Sequence, residues 1–472
     1  MKRLSAALVS LALFLSSFSL QAESLRDIYE LALENDAQLK AEEAVYLAKR
    51  ESEILGRSAL LPQVSGSYSY QDSETETESL GPVFPEGQPL TITNTSSDRD
   101  TETDGFQFSL NQAIFDLPAW FSFQSGRQAT REAEATFAAN QQNLIVRVVE
   151  TYLGVLRARD NLAASQAQER AFERQLEQTQ QRFEVGLIAI TDVYEAQAAR
   201  DLAQVSRIVD ENNLSVSLER LSVLTGQRHD NLNILREDFG ITAPDPVDRA
   251  AWVDFALANN FSLQASRYRE EASRQTARAN KAEHLPKITG SYSYSDFDTD
   301  GDSIVNPVSQ FNSTDIDQTA EETTWGVTLS VPIFTGGAVS SNRRRTAQEF
   351  NASRQERINL TRNTVTNTRS LHMTVMSDVS RVAARKQSIV SSRSALDATQ
   401  AGYEVGTRNV VDVLNAQNSL FSAQRDFANS RYDYVLSMMR LKETAGLLSP
   451  EDIIALDGFM EPPAPPTASG TP

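Results

Sequence analysis

The stretch L-P-Q-V-S-G-S-Y-S-Y at residues 61–70 decides the fold, because it returns as L-P-K-I-T-G-S-Y-S-Y at residues 285–294. The two copies differ at three of ten positions, and their separation is 285 minus 61, or 224 residues. A second match pairs F-E-V-G at 183–186 with Y-E-V-G at 403–406. Repetition at separations of 220 to 224 residues predicts an internal two-fold duplication of a unit of about 220 residues.

Each copy of this motif has the alternation of a β-strand. Val64, Tyr68 and Tyr70 fall on one face of such a strand, with serines on the other. Segments 106–110 and 325–331 alternate in the same way, so we expect four strands per chain. An apolar outer face with a small, polar inner face is typical of a membrane strand around a wet lumen. The edge of a soluble β-sandwich is the alternative.

Acidic segments separate the paired strands, and we expect them to form outer loops at 71–105 and 295–324. The run Asp296-x-Asp298-x-Asp300 imitates the start of a calcium loop, but Pro307 stands where that loop needs a bidentate glutamate. We therefore predict a solvated rim that attracts cations weakly, with no metal site and no cofactor.

Long helical segments make up most of the remaining sequence. Residues 118–185 contain no proline after Pro118 and would span about 100 Å as a helix. Steps of seven through this segment meet mostly apolar residues, which predicts a coiled-coil seam. The complete division of the chain is as follows: signal peptide 1–22; first repeat 23–240, with a helix, two strands, long helix 118–185, tip 185–193 and return helix 190–225; second repeat 241–460, with a helix, two strands, long helix 339–405, tip 405–413 and return helix 411–445; disordered tail 461–472.

Composition and charge exclude several classes of function. The 472 residues carry a net charge of -19, which argues against a nucleic-acid partner. The absence of cysteine excludes disulfides, thiolate metal sites and a cysteine nucleophile. The three histidines lack metal spacing, and no G-x-S-x-G or phosphate-loop motif is present, so we expect no enzyme activity.

The first 22 residues have the pattern of a secretory signal peptide. Lys2 and Arg3 precede an apolar run at 4–15, and L-Q-A at 20–22 is a suitable cleavage site. After this segment the sequence contains no run of 18 or more apolar residues, so no transmembrane helix is predicted. Four strands are also too few to close a membrane barrel, whose smallest members have about eight. The chain should therefore assemble with copies of itself, in a number that geometry alone does not choose.

The two hairpin tips carry a family resemblance. They read V-G-L-I-A-I-T-D-V at 185–193 and V-G-T-R-N-V-V-D-V at 405–413. Together with the repeated strands, they resemble the TolC family of outer-membrane exit ducts. The resemblance implies an α+β membrane protein that forms a homotrimer. Four strands from each chain would together form a twelve-stranded outer-membrane β-barrel. This barrel would be continuous with a long α-helical coiled-coil barrel in the periplasm.

The resemblance also implies partners. They are outer-membrane lipid, a periplasmic adaptor (membrane fusion) protein and an inner-membrane pump, either an ABC exporter or a proton-driven pump. The duct would pass proteins or small molecules to the exterior, and the sequence leaves the choice between them open. A periplasmic coiled-coil scaffold without transport activity is the alternative function.

Carried over residue by residue, the resemblance implies a gate at the tips. Tyr403 would donate a hydrogen bond to Asp192, and Arg408 would reach Thr191 or Asp192 on the adjacent hairpin. Asp412, repeated by three-fold symmetry, would ring the constriction and favour cations. This sequence has Asn415 where related ducts often carry a second aspartate ring, which would weaken that preference.

The resemblance assigns adaptor contact to exposed tip residues, namely Val185, Gly186, Leu187, Val405 and Gly406. A purely structural interpretation stays open for the tips. Glycines there would be left-handed helix caps, and Thr191, Asp192 or Asp412 would be helix N-caps. The run Arg343-Arg344-Arg345 opens the second long helix. We interpret it as a solvated face, with contact to anionic headgroups as the alternative.

Overall fold

The computed structural model describes residues 22–83, 89, 91–306 and 313–463. The predicted signal peptide, apart from Ala22, and the predicted tail beyond residue 463 lie outside this range. The chain divides into two compact units, which we call the helical unit and the strand unit. The helical unit is Met1–Ala48, Glu132–Arg267 and Glu356–Pro472, and the strand unit is Lys49–Arg131 and Tyr268–Gln355.

The described elements follow the same order in both halves of the chain: short helices, two long strands, a very long helix and a helix of 36 residues. The first half contains α1 (Leu25–Asn35), α2 (Ala37–Arg50), α3 (Ser52–Ser58), β1 (Gln63–Val83), β2 (Thr91–Phe115), α4 (Leu117–Glu184), α5 (Ile190–Thr225) and β3 (Ile234–Leu235). The second half contains α6 (Arg249–Asn259), α7 (Phe261–Ala282), β4 (Lys287–Asn306), β5 (Ser313–Ser330), α8 (Ala338–Glu404), α9 (Val410–Ala445), α10 (Pro450–Asp457) and β6 (Met460–Glu461).

The bounds of the long and return helices lie within one residue of those predicted. The helical stretch before β1, predicted as one helix of the first repeat, is instead broken into three helices. The first break is at Asp36, whose backbone is extended and whose Oδ1 accepts a hydrogen bond from Gln38 N at 2.9 Å. Asn260 breaks the second copy in the same way, accepting from Leu263 N at 2.8 Å. A short polar side chain that accepts a hydrogen bond from the backbone N–H two or three residues later ends one helix and begins the next.

The strand unit contains one antiparallel sheet with the strand order β1-β2-β4-β5. Its strands are 18 to 25 residues long. The predicted outer loops at 71–105 and 295–324 are therefore wrong, because most of these residues continue the strands. Threonine alternates with acid through this region, as in E-T-E-T-E at 74–78. Such alternation retains the strand period and places a β-branched residue at every second position.

The acidic residues of these strands lie opposite one another. Glu74, Asp100, Asp302 and Asp315 form one row across all four strands. The next row on the same face is Asp72, Glu102, Asp300 and Asp317. Directly opposed like charges are destabilising, and they are tolerated where water surrounds them. This end of the sheet therefore belongs in solvent, and the apolar stretch nearer the helices is the part suited to lipid.

The core of the helical unit is concentrated around the middle of α4. Tyr152 is fully buried there, and its hydroxyl donates to Asn233 O at 2.8 Å. Val148 and Val155, two positions of the predicted seam, are fully buried beside it, whereas Phe183 near the tip is exposed. The cluster also includes residues from α1, α9 and α10, so one stretch of α4 joins both ends of the chain. None of the helices in the described ranges is long and apolar enough to cross a membrane.

A buried tyrosine–carboxylate pair links α4 to α9. The Tyr432 hydroxyl donates to Asp160 Oδ2 at 2.6 Å. Burial raises the pKa of Asp160, and the hydrogen bond from Tyr432 opposes that rise. Burial raises the pKa of Tyr432 as well, which keeps its hydroxyl a donor.

This pair makes the stability of the helical unit depend on pH. A raised pKa in the folded state means that the protonated form of Asp160 contributes stability below the unfolded pKa of about 3.9, and that this contribution is lost as pH rises through the folded pKa. We expect Asp160→Asn to gain stability relative to the wild type over that window. Thermal unfolding followed by circular dichroism from pH 4 to 8 measures the difference. Tyr432→Phe should move the window to higher pH, whereas parallel curves for all three proteins would contradict this assignment.

Candidate gate at the hairpin tips

The first hairpin tip is built around Gly186. Its N–H donates to Phe183 O at 2.8 Å, and Leu187 N–H donates to Arg182 O at 2.9 Å. These two bonds form a Schellman motif, which satisfies the last carbonyl groups of α4. The motif needs a left-handed residue, and Gly186 has φ 78. Gly186 is therefore a left-handed helix cap, which confirms the structural interpretation of this residue.

The second tip repeats this geometry. Gly406, also at φ 78, donates to Tyr403 O at 3.2 Å, and Thr407 N–H donates to Gly402 O at 2.8 Å. Val405 is exposed here, as Val185 and Leu187 are at the first tip. All five residues assigned to adaptor contact thus lie at the tips, with their apolar side chains open to solvent in the single chain. The glycines can therefore cap the helices while the exposed apolar side chains of the same turns remain available to a partner.

Tyr403 lies in a small core beneath the second tip. It is 9% exposed, and its hydroxyl has no hydrogen-bond partner. The predicted bond from Tyr403 to Asp192 is therefore absent from the single chain. The guanidinium of Arg182 instead lies 4.5 Å from the ring centroid of Tyr403. Such a cation–π contact holds the ring while leaving its hydroxyl without a partner.

Arg408 and Asp412 interact with each other. Arg408 Nη1 lies 3.7 Å from Asp412 Oδ2; the Arg408 side chain is largely exposed, whereas that of Asp412 is half-buried. Arg408 makes no ion pair with Asp192 in the described chain. Asp412 also belongs to a capping box, because Asn409 Oδ1 accepts from Asp412 N at 2.8 Å. The N-cap interpretation of Asp412 is therefore wrong, because Asn409 is the N-cap and Asp412 is the third helical residue of the box.

Asp192 differs from Asp412 in this respect. The N-cap of α5 is Ala189, which has no side chain able to cap. Asp192 N–H donates to Ala189 O at 3.2 Å, but the Asp192 carboxylate makes no hydrogen bond or ion pair among the described residues. The N-cap interpretation of Asp192 and Thr191 is therefore wrong. A half-buried carboxylate without a local partner remains open to a group from another chain.

A polar cavity of about 520 Å³ lies between the ends of α4 and α8. Two buried polar atoms on residues lining it, Gln175 Nε2 and Tyr403 Oη, lack hydrogen-bond partners. Each such atom costs roughly 1–3 kcal/mol relative to a satisfied one. The full lining is Gln175, Gln178, Gln181, Arg182, Val185, Gln400, Tyr403 and Glu404. The packing under the tip is thus polar and incompletely satisfied in one chain.

Sequence reasoning missed three features of this site. Arg182 precedes the F-E-V-G motif, but its position in the second repeat is Gly402, so comparison of the repeats concealed it. The N-x-x-D spacing of Asn409 and Asp412 was a readable capping signal. The glutamines at 175, 178 and 181 recur every third residue, which places them along one side of α4.

Two of the three histidines, His229 and His372, have structural roles. His229 is buried, with Nδ1 2.6 Å from Glu23 Oε2 and Nε2 2.6 Å from Thr225 Oγ1. This row resembles a catalytic triad in composition, but no solvent reaches the ring. His372 Nε2 lies 3.0 Å from Val247 O, which fixes a loop against α8. Within the part of the chain that the structure describes, no group of acidic or histidine side chains has the arrangement of a metal site.

Comparison with known proteins identifies the family. The model of the outer membrane efflux protein family matches residues 28–227 and 252–447. The chain belongs to this family. Among its relatives, the outer membrane protein TolC of Vibrio cholerae is 34% identical over 98% of this chain and 99% of its own length. The alkaline protease secretion protein AprF of Pseudomonas aeruginosa is 30% identical over 96% of this chain and 90% of its own.

A solved structure has the same fold. The outer membrane protein VceC of Vibrio cholerae matches with a TM-score of 0.70 at 17% identity, covering 89% of this chain and 96% of its own. Family membership confirms the predicted outer-membrane location and the predicted exit-duct function. The periplasmic scaffold is excluded as the principal function on the same ground.

Replacing glycine by alanine should have opposite effects on local stability at a tip cap and at a helical position. Gly406→Ala forces a left-handed alanine, which costs about 1–2 kcal/mol and should speed hydrogen exchange of the tip amides about five- to thirty-fold. Gly154→Ala is the matched control, because Gly154 is helical and no atom lies within 4 Å of an added Cβ. That change should leave the tip unaffected and stabilise α4 locally. Equal exchange at the tip in both variants would show that the cap is not strained.

Proposed function

We propose that three copies of this chain form one exit duct, with a twelve-stranded β-barrel in the outer membrane and a coiled-coil helical barrel in the periplasm. The observation that carries this proposal is the open sheet. Its edge strands β1 and β5, of 21 and 18 residues, have no partner on one side among the described residues. In hydrocarbon every backbone polar group needs a partner, so these edges have to pair with other copies.

The surface of α5 supports self-assembly independently. Leu202, Val209, Val216 and Val223 recur every seven residues, with Val205 between the first two. All five are exposed in the single chain. A heptad line of large apolar side chains is the seam of a coiled coil and is normally covered by a facing helix. A second copy of the chain would supply that helix.

The tips are the proposed contact with the rest of an export system. A periplasmic adaptor would contact Val185, Gly186, Leu187, Val405 and Gly406, and an inner-membrane pump would supply the energy. The relatives include proteins named for efflux and for protease secretion, so either cargo class fits the duct. We infer no catalytic activity, no cofactor and no nucleic-acid partner, which agrees with the charge of -19.

The gate in this proposal forms between chains. Arg408, solvated and only loosely paired with Asp412, would contact Thr191 or Asp192 of the neighbouring hairpin. Tyr403 would complete the closed state by donating its unpartnered hydroxyl to Asp192. Asp412 would appear three times around the axis and lower the energy of a passing cation.

Assembly and conduction test the duct. The purified protein should have the mass of a trimer and a small, cation-preferring conductance in planar bilayers. Val209→Glu with Val216→Glu should abolish the trimer, because two charges would be buried in the seam. The control, Ser215→Glu with Ser222→Glu, adds the same charges about a third of a turn away and should still assemble. A monomer without conductance from correctly inserted wild type would overturn the duct.

Single substitutions separate the parts of the gate. Arg408→Ser should raise conductance by freeing the hairpin, and Tyr403→Phe should do so only if its hydroxyl finds Asp192 in the assembly. Asp412→Asn should lower the preference for cations over anions. Asn409→Ala is its control, since it breaks the same capping box without removing the charge. If Asp412→Asn and Asn409→Ala change ion selectivity equally, Asp412 acts only by capping the helix and not through its charge.

A further inference from the structure

The apolar face of β5 continues past the end of the strand. Trp325, Val327 and Leu329 alternate on one face and are exposed, Trp325 to 80%. After Ser330 the same period continues through Val331 and Ile333 in a segment without regular structure. Ile333 is 94% exposed and the adjacent Phe334 is 85% exposed. Large apolar side chains at this exposure mark a surface that another molecule covers.

Two glycines then reverse the chain into α8. Gly336 and Gly337 have φ 63 and 86, a conformation that other residues rarely adopt. No atom lies within 4 Å of a Cβ built on either one. The backbone thus turns in open space, and Ile333 and Phe334 stand directly before the start of the helix.

Three consecutive arginines follow in the first turns of α8. Arg343, Arg344 and Arg345 are all exposed, while the next residue, Thr346, is buried. Among the described residues only Arg345 of the three has an ion pair, with Glu349 at 2.8 Å on the same helix. The first turn of α8 contains no acidic residue. Like charges near the positive end of a helix dipole repel one another, and an anionic partner would relieve that repulsion.

The charges of the strand unit are segregated along the strands. The carboxylate rows lie far from the helices, the apolar stretch follows, and the arginines lie beyond the apolar stretch. Arg343 to Arg345 are five to seven residues into α8, or about 8–11 Å along its axis. The headgroup layer on each side of a bilayer is about 5–8 Å thick. Long side chains on a helix lean toward its N-terminus, so these guanidinium groups reach back to the lipid phosphates when Ile333 and Phe334 enter the acyl chains.

We propose that Ile333, Phe334 and Arg343–Arg345, here called the junction patch, bind an anionic phospholipid of the inner leaflet. The proposal rests on the proposed function, because it requires the apolar strand stretch to lie in the outer membrane. Guanidinium groups bind phosphate oxygens in a two-pronged geometry, and the apolar pair contacts the acyl chains. A second copy of the chain is a poorer occupant, since subunit interfaces exclude unpaired charge from their cores.

Native mass spectrometry of the full detergent-solubilised protein tests this proposal. The probes are phosphatidylglycerol and phosphatidylethanolamine of identical acyl chains, titrated separately. We expect phosphatidylglycerol to bind more tightly to the wild type, with an affinity that falls as salt rises. Each arginine near a membrane surface changes affinity about five-fold, so Arg343→Gln, Arg344→Gln and Arg345→Gln together should weaken binding roughly a hundred-fold.

The matched control removes three exposed arginines farther along the same helix, as Arg354→Gln, Arg362→Gln and Arg369→Gln. It should retain the preference for phosphatidylglycerol. Lysine at all three patch positions should retain most of the binding, because the charge remains. Phe334→Ser should weaken both lipids, since it removes acyl contact without changing charge.

The outcomes separate this proposal from the duct itself. Equal binding of phosphatidylglycerol by the wild type and the patch variant would overturn the junction patch. Loss of the trimer mass in the patch variant would also overturn it, by assigning the arginines to a subunit contact. Planar-bilayer conductance is the independent measurement. If the patch does not bind phosphatidylglycerol selectively but the wild type conducts, only the lipid-binding proposal is wrong. If the wild type does not conduct, the exit-duct proposal is wrong.

Discussion

Pairing of backbone polar groups is the constraint on which the rest of this protein depends. A strand in hydrocarbon cannot leave its N–H and C=O groups without partners, and the four-stranded sheet has two long edges of such groups. One chain is therefore an incomplete object in a membrane. The exposed heptad line of α5 and the unpartnered carboxylate of Asp192 are incomplete in the same sense. In the proposed duct a neighbouring chain would satisfy each of them, and assembly would then be a condition of the fold rather than an addition to it.

The packing of the helical unit is dense at the middle of its long helices and sparse near the hairpin tips. Around Tyr152, residues from α1, α4, α9 and α10 form one dry core that joins the two halves of the chain. Toward the tips that packing thins to a small cluster around Phe172 and Tyr403, beside a cavity with unsatisfied polar atoms. Local opening is least costly where buried apolar contacts are few. The hairpin ends can therefore rearrange while the middle of the same helices stays fixed.

Sequence reasoning succeeded where one residue type permits only one geometry. The glycines at 186 and 406 predicted the hairpin turns, and the alternation at 64–70 predicted a strand. It failed where residue composition has two interpretations: acid and threonine at 74–78 suggested a loop, yet their period of two continues the strand. Asp36 and Asn260 end helices by accepting hydrogen bonds from the N–H groups of Gln38 and Leu263, which the hydrophobic periodicity of the sequence does not indicate. The bond from Tyr403 to Asp192 could not be tested by any property of one chain, because the position of the neighbouring hairpin is set by assembly.

In the proposed gate, the closed state would depend on a weak contact at the second tip. Asp412 accepts a bond from Asn409 N–H within the capping box and pairs loosely with Arg408, so Arg408 has a partner in its own chain. A solvated ion pair of this kind contributes about 0–1 kcal/mol. In the proposed gate, moving Arg408 to Asp192 of a neighbour would exchange one such ion pair for another, so the free-energy difference between the closed and open tips would be small. A partner that contacts the exposed Val185, Leu187 and Val405 needs to supply only that small difference, which is what a switch operated by docking requires.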